Sequence, residues 1–197
     1  MSKLRYLSAT AIFLFFSLSS SMAREAPQPQ GQPPIPAQYA ATAIGQAGSA
    51  AGKTFGLSIY MEGLTPDGEV DELIGTLKSK GQDGVVKAME NMKDLGRVAP
   101  TGSVGTGMRL VRIRQNPDGG HHIVLATNRP ITFRELWSGT RSRDYPIGIV
   151  VLNVDKDGKG TGTLALACKV KFNKKGELEI EHYGIKPLRL ANVYRQK

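Results

Sequence analysis

The sequence predicts an α+β domain: a mainly antiparallel sheet of about six to eight strands with a two-helix hairpin packed against it. Three observations lead there. From Arg141 to Arg195, alternating runs are separated by turn sequences such as Asp157-Gly158 and Asn173-Lys174-Lys175-Gly176. Between Glu69 and Met92 the apolar residues recur instead at helical spacing. A Pro- and Gln-rich stretch precedes both, which sets the folded unit at residues 53–197 as one domain.

At the N-terminus, Lys3 and Arg5 precede an apolar run from Leu7 to Leu18, and Ser21-Met22-Ala23 supplies small residues for cleavage. Residues 1–23 therefore read as a signal peptide. The run falls short of the roughly 20 apolar residues that a membrane helix needs, and no later segment comes near that length. The expectation is a soluble protein exported to the periplasm or the exterior, without a transmembrane segment once the leader is removed. Pro27, Pro29, Pro33, Pro34 and Pro36 stand among glutamines, and alanine, glycine and glutamine continue to Gly52. Residues 24–52 are thus expected to be a disordered linker, dispensable for stability. The formal net charge is +9, of which Lys3 and Arg5 belong to the leader, and the remainder is dispersed. Cys168 is the single cysteine, so no disulfide can form within the chain.

Within the domain, Lys53 to Met61 is the first strand, ended by the turn Leu64-Thr65-Pro66-Asp67-Gly68. Val70, Leu73, Ile74 and Leu77 then mark one helical stripe, with acids at its start and lysines at its end as the helix dipole favours. Val85, Val86, Met89 and Met92 mark a second helix capped by Asp83, and Gly81-Gln82 is the joint of the hairpin. A short strand is expected at Leu95 to Val98, and Thr101 to Gly107 is a glycine-rich loop. Met108 to Gln115 and His121 to Thr127 form a hairpin, and Ile131 to Trp137 a short helical turn. Ile147 to Val154 is apolar on both faces and so central, whereas Thr161 to Phe172 alternates and shows one face to water. Leu178 to His182 follows, and Ile185 to Tyr194, with Pro187 near its start, is placed at a sheet edge.

Turn chemistry and side-chain parity together set a register. A two-residue Asp157-Gly158 turn puts Val151 opposite Leu164, Ile149 opposite Leu166 and Ile147 opposite Cys168. A longer connection from Asn173 to Glu177 then pairs Val170 with Ile180, Cys168 with His182, Lys171 with Glu179 and Lys169 with Glu181.

Several patterns imitate chemistry. Ala47 to Thr54 meets a relaxed phosphate-loop pattern, but a linker precedes it and a strand follows, where a strand and a helix are required. Gly102, Gly105 and Gly107 lead into a strand, not the helix of a dinucleotide site. Asp155, Asp157 and Gly160 start like a calcium loop, yet Lys159 stands where an oxygen ligand belongs. His121 and His122 are adjacent in a strand and cannot chelate one ion together. No metal or cofactor is expected. Cys168 and His182 share the core side and form a thiol–imidazole pair, the candidate catalytic residues of an extracytoplasmic hydrolase; a buried, inert thiol is the plainer reading. Arg109, Arg112 and Arg114 add to the guanidinium supply of Arg129, Arg134, Arg141 and Arg143, which with Trp137 and Tyr145 make a candidate site for a polyanion or acidic glycan. With so few stacking rings there, nucleic acid is not an expected partner.

The segments Gly119-Gly120, Val124 to Ile131, Arg141 to Pro146 and Glu181-His182-Tyr183 to Val193 resemble a family of exported bacterial proteins. The resemblance runs from about Thr54 to the end, and departs from the family in the uniformly apolar Ile147 to Leu152. That family has no assigned activity, ligand or catalytic residue, so the resemblance implies one intact domain and no role. The leading expectation is an exported, non-catalytic binding or interaction domain whose partner is a protein or envelope component. Mass spectrometry of the exported fraction is expected to find an N-terminus at Arg24; a mature molecule retaining Met1 would overturn the leader.

Overall fold

A computed structural model describes residues 33–132, 144–173, 176–182 and 186–196. Among them the chain forms β1 (Ala37–Ile44), β2 (Thr54–Met61), the helical element α1 (Asp67–Glu90), β3 (Gly96–Pro100), β4 (Thr106–Met108) and β5 (Leu110–Gln115). Then come β6 (His121–Thr127), β7 (Ile147–Val154), β8 (Lys159–Phe172), β9 (Leu178–His182) and β10 (Leu188–Gln196). The leader, most of the expected turn at 131–137, and Arg134, Trp137, Arg141 and Arg143 lie outside the described residues.

These ten strands join one antiparallel sheet in the order β4-β3-β2-β1-β10-β8-β7-β6-β5, with β9 added to β8. The two ends of that order are one stretch of chain. Residues 106–115 pair with β3 through β4 and with β6 through β5, and the Arg109 N–H donates to the Ala126 carbonyl at 2.9 Å. The sheet therefore curls into a nearly closed barrel, which leaves few edges to protect. Its interior is filled, not hollow: Tyr39, Leu57, Ile59, Met61, Val98, Met108, Val111, Ile123, Leu125, Leu152, Leu164, Leu188 and Leu190 form one buried cluster.

This architecture corrects the expected sheet of six to eight strands under a two-helix hairpin. Two strands are additional. β1 arises inside the stretch expected to be a linker, where Ala37, Tyr39, Ala41 and Ala43 point inward and pair β2 on one side and β10 on the other. Alanine has little strand propensity, so the alternation is weak in sequence; the two neighbouring strands supply what propensity does not. β4 separates from β5 because the chain changes partner at Arg109. Since β1 covers its outer side, β10 is interior to the sheet, and Pro187 merely precedes its first residue.

The helical part is a single element, without an inter-helix loop. It bends at Gly81, whose φ of 67° and ψ of −166° are open to glycine and strained for other residues. The bend is sharp enough that a Cβ on Gly84 would lie 3.0 Å from Thr76 Cγ2. Leu73, Val85 and Met89 lie over Leu110 and Ala126, while Leu77 and Val86 lie over the β7–β8–β9 surface, so α1 forms a second core on the outside of the barrel.

Strand β8 serves both cores. Pairs Ile149↔Ala165 and Ile147↔Cys168 leave an extra residue on β8, a bulge that reverses side-chain parity. Leu164 consequently faces the barrel interior, whereas Cys168 and Val170 face α1. The expected single apolar face from Leu164 to Phe172 is thus two faces. The turn before it also differs: Asp155 N–H donates to Lys159 O at 2.8 Å around Gly158 (φ 76°), one residue longer than a two-residue turn. Val150 in place of Val151 therefore meets Leu164, and the bulge restores Ile147 opposite Cys168. The β8–β9 register is as expected, from Lys169↔Glu181 to Phe172↔Leu178. Among the described residues no helix is long and apolar enough to cross a membrane.

Since Tyr39 is 1% exposed, Tyr39→Ala is expected to cost about 3–5 kcal/mol in a denaturant titration, as for other buried aromatic side chains. Deleting residues 37–44 should abolish cooperative melting; an unchanged melting curve would show that β1 is not part of the barrel.

Candidate functional site

Immediately after the bend, Gln82 enters the margin of the sheet. Its Nε2 donates to the Asp144 carbonyl at 3.1 Å, and its Oε1 accepts from the Val170 N–H at 2.9 Å. The β7–β8 ladder ends at Ile147↔Cys168, so this side-chain amide stands where the next rung would have been. Beyond it the bend of α1 and the margin of β8 diverge into a cleft of about 550 Å³. Leu77, Val170 and Phe172 give it apolar walls, and Lys78, Lys169 and Lys171 supply positive charge, with no acid in the lining among the described residues. Lys78 Nζ lies 5.6 Å from the centre of the Phe172 ring, within cation–π range.

Acids stand just behind. Lys171 Nζ is 3.7 Å from carboxylates of both Glu179 and Glu181 on β9. Tyr145, one of the expected ligand residues, donates its hydroxyl to Glu181 Oε1 at 2.7 Å. That hydrogen bond, with the nearby Lys171 and Lys169 charges, holds the Glu181 carboxyl below its ordinary range against a smaller opposing effect of burial.

The expected catalytic pair is adjacent across the ladder, but its chemistry points away from catalysis. Cys168 is buried beneath α1, and its thiol donates to the Ile147 carbonyl at 3.2 Å. Burial pushes that thiol from 9.0 up to about 12, which keeps it protonated and unreactive near neutrality. Protein packed around the His182 ring lowers its pKa, yet its surface is open to water.

Two of the arginines fasten α1. Arg109 Nη1 donates to the carbonyls of Met89 (2.8 Å), Met92 (2.9 Å) and Glu90 at the C-terminal end, and its Nε lies 3.5 Å from Asp94. Arg112 donates to Thr65 O (2.9 Å) and pairs with Asp67 (2.6 Å) at the N-terminal end. Because α1 bends back on itself, guanidiniums three residues apart reach both of its ends. Arg129 lies elsewhere, beside Gly105, Thr106, Pro130 and Thr132, in a cleft of about 360 Å³.

The remaining imitations resolve locally. Gly48–Ala50 is a short turn between β1 and β2, and Gly105 (φ 75°) belongs to the β3–β4 loop. Asp155 Oδ1 already accepts from the Asp157 and Lys159 N–H groups. His122 Nδ1 meets Asn153 Oδ1 at 2.7 Å. Among the described residues no group of three or more His, Cys, Asp or Glu is placed to hold a metal ion.

Sequence reasoning does not bring Gln82, Leu77, Lys78, Lys169 and Phe172 together as a site. Gly81-Gln82 is legible as a joint, but only the tertiary position of β8 gives its amide a partner. Comparisons with protein-family models, curated proteins and solved structures find no match.

A maleimide is expected to label Cys168 slowly in the folded protein and quickly in denaturant; rapid native labelling would contradict the buried thiol. The folded state keeps a proton that the unfolded thiol loses above about pH 9, so this contribution to stability is intact below pH 9 and declines as pH rises towards 12.

Proposed function

We propose that the protein is an exported, non-catalytic binding domain that takes a partner at the cleft between α1 and β8. The cleft itself carries the reading: it has apolar walls, Lys78, Lys169 and Lys171 belong to its lining, and no described residue of the lining is acidic, while Lys171 is paired with Glu179 and Glu181 just behind. Its volume is in the range of ligand sites, roughly 300–1,000 Å³. The packed barrel interior favours an external contact surface. A hydrolase built on Cys168 would require a thiolate that burial opposes. Arg109 and Arg112 are engaged with α1 and its flanks, so neither faces this cleft.

A titration of the ¹⁵N-labelled protein with poly-L-glutamate tests the site. Shifts are expected to concentrate on residues 77–82 and 169–172, and Lys78→Glu with Lys169→Glu should weaken binding roughly tenfold or more. Shifts spread over the whole basic surface, or centred on Arg129, would overturn the cleft as the contact surface.

A further inference from the structure

On the reading that this cleft binds a partner, we propose that the occupant is an extended acidic segment of another protein, added as a strand along the margin of β8 beyond its pairing with β7. Backbone direction is the first ground. The Val170 N–H points to Gln82, away from β9. In an antiparallel strand, alternate residues direct both backbone groups to the same side, so Phe172 also addresses α1, while Lys169 and Lys171 address Glu181 and Glu179. Pairing with β7 stops at Cys168, and among the described residues no strand continues it. The Val170 carbonyl and both backbone groups of Phe172 are therefore directed into the cleft.

The second ground is the Gln82 amide. A primary amide presents the same donor and acceptor as a peptide group, and here one from outside the sheet occupies the first rung, joined to Val170 N–H and Asp144 O. The margin is thus built to take amide groups, and an added peptide would continue from where Gln82 stops. Charge is the third. Lysines along a strand margin discourage indiscriminate pairing, and Lys78 and Lys169 would repel a basic segment and attract an acidic one, Lys171 being held by Glu179 and Glu181. Leu77 and the Phe172 ring would receive alternate apolar side chains. An alkyl carboxylate could use the charge and the apolar wall, but it has no use for the backbone groups.

The test uses a blocked peptide of about seven residues alternating glutamate and valine, titrated against the full domain by NMR. Two N-methylated versions carry the methyl groups on alternate residues in opposite phase. An added strand uses one row of its N–H groups, so one phase is expected to weaken binding about tenfold or more while the other binds as the parent does. Lys78→Glu should weaken the parent, and a lysine–valine peptide should not bind. Equal binding by both methylated phases, or tighter binding by decanoate than by the peptide, would overturn strand addition. If poly-L-glutamate still maps to residues 77–82 and 169–172 while the peptide fails, strand addition falls and the cleft remains the contact surface. If neither ligand shifts these residues, both readings fall together.

Discussion

The reversal of side-chain parity in β8 is the constraint on which the rest depends. A strand of 14 residues that kept one parity would have to bury all its apolar residues on one side, inside or outside the barrel. The bulge between Ala165 and Cys168 lets Leu164 fill the barrel while Cys168 and Val170 form an outer surface with Leu178 and Ile180. That outer surface must be covered. α1 covers it, and Cys168 becomes buried at the centre of a second core instead of lining a cleft.

Covering a curved surface with a helix imposes its own geometry. A straight helix of 24 residues would be about 36 Å long and would hold its two ends that far apart. The bend at Gly81 shortens the span and brings both ends within reach of Arg109 and Arg112, so guanidiniums three residues apart on one β segment fix the element at two points. Each exposed pair contributes about 0–1 kcal/mol, and the apolar contacts of Leu73, Val85 and Met89 supply more, roughly 1.5–3 kcal/mol for each fully buried side chain. The arginines therefore orient the helix more than they stabilise it. That role accounts for Arg109 and Arg112 alone among the arginines of this region.

The legible parts of the chain were those whose signal is local. The Asn173 to Glu177 connection, with the cross-strand pairs Lys169↔Glu181 and Lys171↔Glu179, followed from alternation and turn residues alone. Hydrophobic period located the helical stretch, and Gly81 located its bend. What was not legible depends on distant partners. β1 is a strand because β2 and β10 flank it, although its own residues are largely alanine, glutamine and threonine. The β8 bulge cannot be seen from parity, because Leu164, Leu166 and Cys168 continue an unbroken alternation. At Asp155 to Lys159 the turn was one residue longer than its Asp-Gly dipeptide suggests, and the bulge compensated, so Ile147 met Cys168 for a reason the sequence does not show. Tyr145 meets Glu181, and Arg129 lines a cleft with Gly105 and Thr106, contacts that proximity in sequence does not show.

A closed barrel removes sheet edges, and this chain closes its barrel almost completely, yet it extends β8 past the end of β7 and adds β9 on the far side. The extension is not needed to fill the barrel, since Val170 and Phe172 lie beyond the interior cluster. It creates backbone groups that must find water, a side chain or another chain. Gln82 meets one of these groups, and among the described residues no strand pairs with the rest of that lysine-lined margin. The same extension holds the outer core together, so a partner bound there would contact the segment that joins the barrel to its helix. Binding at that margin would accordingly favour the bent form of α1, because Leu77 and Gln82 belong both to the cleft and to the packing of the helix on β8.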